Sequence, residues 1–192
     1  HPSATSWRTI RIRACSEPPP SQTGCTERMR LVRVAVNAEQ LLYRSPGGIG
    51  RYTAALLTVL PGFHPEMEAV PFTARHPAAD VQAALAGAGV PEAVRRRTVV
   101  LPWPRPVLYD GWHRLGRPRP ARVTALGRPD LVHAPSVAVP PRAGTPLVVT
   151  VHDAAPELFP DAFPRRGRRF HAQGLAAAAR RADLIITVSQ AA

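Results

Sequence analysis

The chain reads as an α/β protein, a layered domain built on a mostly parallel sheet. Two features predict this. Short Val- and Leu-rich runs alternate with longer segments whose apolar residues recur at helical spacing. Gly- and Pro-containing breaks fall mainly between those segments, where turns are needed. The length, 192 residues with 45% hydrophobic content, is enough for one domain with a real core.

The elements follow in order. Leu31–Val36 (LVRVAV) has the Val-rich pattern of a buried strand. Ile49–Leu60 carries apolar residues at helical spacing and is expected to stop at Pro61-Gly62. Met67–Thr73 reads as the second strand. Asp80 is expected to N-cap an Ala-rich helix that Gly87 and Gly89 end. Thr98–Leu101 is a third short strand, broken by the WPRP that follows. The Arg- and Pro-rich stretch 104–127 accommodates short helices at Val107–Leu115 and Ala121–Leu126. Asp130–Ala134 and Pro146–His152 are the next strands, Phe163–Ala182 is a long helix, and Asp183–Ser189 is the last strand. Residues 1–28 have no apolar core of their own, so Met29 is the expected natural start after an extension without fixed fold. The chain stops just after a buried-type strand, which predicts a domain cut from a longer protein.

All 25 basic residues are Arg against 13 acidic ones, a net charge of +12. This Arg is scattered over many elements, and with no Lys and abundant Ala, Pro and Gly the pattern suits a GC-rich coding sequence. Specific nucleic-acid binding is therefore not expected; DNA retention that survives physiological salt would argue otherwise. Cys15 and Cys25, the two cysteines, form neither a metal pattern nor a disulfide framework. A Cys-free core and the lack of a signal-like apolar stretch lead us to expect a cytoplasmic protein. Arg165, Arg166, Arg168, Arg169, Arg180 and Arg181 crowd the long helix. They suit either a solvated face or contact with anionic lipid at the inner face of the membrane.

In parallel α/β sheets, ligands gather beyond the C-terminal ends of the strands. Three sites there can carry chemistry. Ser45-Pro46-Gly47-Gly48-Ile49-Gly50-Arg51-Tyr52 lies between strand one and helix one, where free N–H groups and the Arg51 guanidinium favour an anion. The alternative is a tight turn and nothing more. Thr150-Val151-His152-Asp153 ends a strand with an imidazole next to a carboxylate: His152 suits a sugar hydroxyl, a phosphate or a proton, and Asp153 an acceptor hydroxyl. Their alternative roles are a backbone-bonded His and a capping Asp. His133 and Ser189, ending two further strands, are candidates to line the cleft.

Together the GGIGRY loop, DLVHAP, the PLVVTVHD strand, the long helix and the ADLIITVS strand resemble the family 4 glycosyltransferases over about residues 29–192. The resemblance implies a Rossmann-like three-layer domain, the N-terminal, acceptor-side half of a retaining GT-B fold that includes bacterial mannosyltransferases. It implies transfer of a hexose from a nucleotide-diphosphate sugar to a glycan or lipid-linked acceptor, with no metal and no other cofactor. It assigns Gly47, Gly48 and Arg51 to the donor diphosphate, and His152 with Asp153 to the catalytic centre. A nucleotide-binding C-terminal domain would be the partner, so catalysis by this chain alone is not expected. The alternative is a non-catalytic acceptor-binding module. Epimerase or dehydrogenase chemistry on a Tyr-x-x-x-Lys pair is excluded, because the chain has no Lys.

Overall fold

The computed structural model describes residues 31–189. The N-terminal extension, both cysteines and Gln190–Ala192 lie outside the described residues. Strand β1 (Val32–Asn37) leads through a 3-10 turn (Glu39–Leu42) into helix α1 (Gly47–Phe63). Strand β2 (Met67–Thr73) precedes α2 (Ala78–Gly87) and a short α3 (Glu92–Arg95). Strand β3 (Val99–Val100) leads to α4 (Arg105–Asp110), which runs on as a π-type turn through Leu115. After two 3-10 turns come β4 (Leu131–Ala134), β5 (Leu147–Val151), α5 (Ala155–Leu158), α6 (Arg165–Arg181) and β6 (Leu184–Thr187).

All pairings in the sheet are parallel, in the order β3-β2-β1-β4-β5-β6. This is the doubly wound Rossmann order, and the winding reverses between β1 and β4. Strand alternation sorts the core into two layers. Val34 and Val36 face one side and pack with Leu57 of α1 and with Val81 and Leu85 of α2. Ala35, Val132, Ala134, Val149 and Val151 face the other and pack with Leu108, Tyr109 and Trp112 near α4 and with Ala177 and Ala178 of α6. The expected three-layer α/β domain is what forms.

Two aspartates just before β4 and β6 tie these strands to their neighbours. Asp130 Oδ2 accepts from Arg33 N–H at 2.9 Å and ties β4 to β1. Asp183 Oδ2 accepts from Leu147 N–H at 2.9 Å, and its Oδ1 pairs with Arg142 at 2.6 Å, tying β6 to β5. Each also donates its backbone N–H to the neighbouring strand, Asp130 to the Arg33 carbonyl at 2.9 Å and Asp183 to the Leu147 carbonyl at 2.8 Å, so side chain and main chain clamp the strand start together.

Several expectations need correction. Helix α1 begins at Gly47 and runs through Pro61 to Phe63. Pro61 lies in the last turn, where a lost N–H costs a single bond. Asp80 is inside the first turn of α2 and makes no capping bond; Pro77 holds the cap position. The Ala121–Leu126 helix is two 3-10 turns. The short helices α3 and α5 carry no sequence period long enough to be seen. Strand β6 ends at Thr187, short of Ser189.

Candidate functional site

Period-2 alternation puts Val148, Thr150 and His152 on one side of β5 and its extension, and Leu131 and His133 on the same side of β4. That side faces α1. Thr150 is fully buried and its Oγ1 is shared between His133 Nε2 at 2.9 Å and Tyr52 Oη at 3.1 Å. The Tyr52 ring meets the His152 ring edge-on at 5.1 Å and the His133 ring at 6.3 Å. His152 Nε2–H donates to the Pro135 carbonyl at 3.0 Å. In a neutral ring that leaves Nδ1 as the acceptor. Burial pushes His133 down to about 4, so its ring is neutral across the physiological range.

The glycines at the start of α1 differ in what they do. Gly47 has φ +63°, a conformation that favours glycine. A Cβ on Gly50 would collide with Pro46, whose carbonyl accepts from Gly50 N–H at 3.0 Å and from Gln40 Nε2–H at 3.2 Å. Gly48 meets neither constraint: its added Cβ would enter open space. Gly47, Gly48 and Arg51 are exposed, and no described residue forms an ion pair with Arg51. The helix start thus presents free N–H groups and a free guanidinium.

The remaining candidates lie apart from this cluster. Asp153 is exposed, one residue ahead of Ala154, which holds the cap position of α5, and its Oδ1 accepts from Ala155 N–H at 3.0 Å. Ser189 is exposed beyond β6, and none of the cluster's hydrogen bonds or ring contacts includes it. Tyr52 and Thr150 were not singled out from the sequence. Thr150 stands two residues before His152 on the same side of β5, so periodicity held a signal for it, whereas Tyr52 lies about 100° around α1 from the buried Thr53 and gave none.

On the other flank of the winding reversal, Glu39 is fully buried at the end of β1. Its Oε2 accepts from Ala74 N–H and its Oε1 from His76 Nε2–H, both at 2.8 Å. Arg105 sits 4.6 Å above the Tyr43 ring. Burial pushes the Tyr109 hydroxyl well above its ordinary range. Two grooves lie elsewhere, one of about 560 Å³ between α5 and α6 and one of about 700 Å³ at the N-terminal ends of β4 and β5. Neither is lined by the His133–His152 cluster, which forms an open wall. Among the described residues no group of three or more His, Cys, Asp or Glu is arranged to hold a metal, and no helix is long and apolar enough to cross a membrane.

An all-parallel doubly wound sheet, with polar side chains and a glycine-rich helix start near where its winding reverses, defines a Rossmann-like α/β domain. The model of Glycosyltransferase Family 4 matches residues 46–192, and the chain belongs to that family. No curated protein and no solved structure matches it.

Proposed function

We propose that this domain is the acceptor-side half of a retaining GT-B hexosyltransferase of mannosyltransferase type. Its donor is a nucleotide-diphosphate sugar and its acceptor a glycan or lipid-linked glycan, handled at the cytoplasmic face of the membrane. The observation that carries the reading is the joint placement of His152 and the open start of α1 beside the winding reversal, bridged by Tyr52. Gly47, Gly48 and Arg51 would hold the donor diphosphate, with backbone N–H groups and guanidinium aimed at the charge that develops as it leaves. His152, fixed by the Pro135 carbonyl, would offer Nδ1 to a hydroxyl of the transferred sugar or the acceptor. Asp153 would stand behind it at the mouth of the site, and His133 would support the wall from within.

In the reaction the bond from the anomeric carbon to the diphosphate oxygen breaks. The acceptor oxygen bonds to that carbon on the face the diphosphate leaves, and its proton passes to the departing diphosphate. A second, nucleotide-gripping domain would close over the open wall and supply the rest of the donor site. Arg on the exposed face of α6 would favour anionic lipid near the acceptor.

The test is transfer of labelled hexose from GDP- and UDP-sugars by this chain and by a two-domain protein containing it. His152→Ala in the two-domain protein is expected to cut turnover by about two orders of magnitude or more, in the range of general acid–base groups, with little change in stability. Full turnover in that variant would return His152 to a packing role. Transfer by neither protein would favour a non-catalytic acceptor-binding module.

A further inference from the structure

The α5–α6 groove is a built cationic pocket. Pro156 and Pro160 form rigid parts of its lining, and Arg165, Arg168 and Arg169 enter it from α6. Their spacing puts three guanidinium groups on one side of the helix. No described residue forms an ion pair or hydrogen bond with any of these three side chains, and Arg168 Nε is buried without a partner. The guanidinium forks of the three are therefore not used up by acceptors among the described residues. One carboxylate, Glu157, also lines the groove; His171 Nδ1 lies 3.6 Å from it. Three cations against one anion leave a surplus for a ligand of negative charge.

The geometry points to this groove as the subsite for a phosphate or diphosphate group carried by the acceptor. Guanidinium forks match phosphate oxygens in pairs, which suits phosphate over a point-like anion. The volume of about 560 Å³ exceeds a lone phosphate and leaves room for an attached sugar or alkyl chain. The groove starts in the segment that follows His152 at the end of β5, so a phosphate held there brings the rest of the acceptor to the proposed transfer site. This assignment as an acceptor subsite rests on the glycosyl-transfer reading; anion binding itself does not need it.

The experiment titrates inorganic pyrophosphate into this chain by calorimetry at physiological salt, without donor or transfer. Arg168→Gln is expected to weaken binding about ten-fold, the loss of one charge-assisted contact, and the pair Arg165→Gln with Arg169→Gln about a hundred-fold, the loss of two. Glu157→Gln removes the opposing charge and is expected to tighten binding several-fold. Arg166→Gln, on the same helix but outside the groove lining, is expected to leave it unchanged. No saturable binding, equal weakening by Arg166→Gln, or loss that follows Arg51→Gln while Arg168→Gln binds normally would each overturn the assignment. Sedimentation with phosphatidylglycerol vesicles separates the sources: dependence on the groove arginines alone identifies a lipid phosphate, and pyrophosphate binding without it a soluble one. Intact pyrophosphate binding with no transfer by the two-domain protein would sink the transfer reading and leave an anion site.

Discussion

Thr150→Val tests whether the buried hydroxyl organises the candidate wall. Valine has nearly the shape of threonine, so the change removes a hydroxyl and little volume. His133 is 5% exposed, and its Nε2 would lose the partner now at 2.9 Å. Stranding a buried polar atom costs about 1–3 kcal/mol. Tyr52 Oη loses its 3.1 Å contact but is half-buried and recovers part of that with water, about 0.5–1 kcal/mol lost. The new methyl returns about 0.8 kcal/mol by burial. The net loss is about 1–3 kcal/mol, or roughly 2–12 °C in Tm for a chain of this size. Urea denaturation of the wild type, Thr150→Val, Tyr52→Phe and the double variant measures it, with an expected coupling of about 0.5–1.5 kcal/mol between the two sites. Additive effects, or a Thr150→Val loss under about 0.5 kcal/mol, would show that the hydroxyl does not hold α1 to β5.

Other perturbations separate structural from functional roles. Gly48→Ala meets nothing within 4 Å, so it is expected to stabilise α1 by up to about 1 kcal/mol while lowering kcat/KM in the two-domain protein; unchanged kinetics would leave Gly48 a turn residue. Gly174→Ala drives its Cβ into the Val137 backbone carbonyl and to 2.8 Å from Val137 Cβ, and is expected to cost about 1–3 kcal/mol, read by denaturation, where a neutral result would refute tight packing of α6 on the β4–β5 loop. Acid is expected to destabilise the protein through His133, whose native value of about 4 lies below the unfolded value of about 6.5. The unfolded chain takes the proton first, so this stability is fully present above about pH 6.5 and is lost as pH falls toward 4. Between pH 7 and pH 5 the wild type is expected to lose about 2 kcal/mol more than His133→Gln; equal losses would mean that the buried ring does not resist protonation.

The sheet was legible because burial on both faces leaves unbroken Val- and Leu-rich runs, as in Leu147–Val151. Asp130 and Asp183 read as strand residues and do bond the neighbouring strand through their backbone N–H groups, but the second tie, through their carboxylates, is not encoded in the apolar pattern. Helix α1 was found, yet Pro61-Gly62 was taken as its end; the chain keeps one more turn there, closed by His64 N–H on the Leu60 carbonyl at 3.0 Å although Phe63 is exposed. His133 and His152 stood out as unusual residues ending apolar runs. Their connection through Thr150 and Tyr52 did not, since it depends on α1 crossing the sheet at a distance no local pattern encodes. Glu39 is harder still. A carboxylate next to Gln40 reads as surface, and only the Ala74 amide and the His76 ring, brought in by β2, make its burial tolerable.

His152 depends on a backbone carbonyl whose position is set from the opposite layer. Pro135 O holds its Nε2, and two residues later Val137 is gripped from both sides: its carbonyl lies 3.1 Å from His113 Nε2, beside the close approach of Gly174 in α6. Burial keeps His113 down at about 4, so this contact comes from a neutral ring that donates from Nε2–H, a donor that protonation at Nδ1 would leave in place. The wall is therefore built from two directions. Tyr52 and Thr150 fix it from the α1 layer, while His113, Val137 and α6 fix the loop behind it. The same α6 that locks this loop carries the three arginines of the phosphate groove, so one rigid helix sets both the imidazole and the anion subsite. A substitution that loosens α6 at Gly174 should thus lower transfer and pyrophosphate affinity together, whereas one at Thr150 should lower transfer alone.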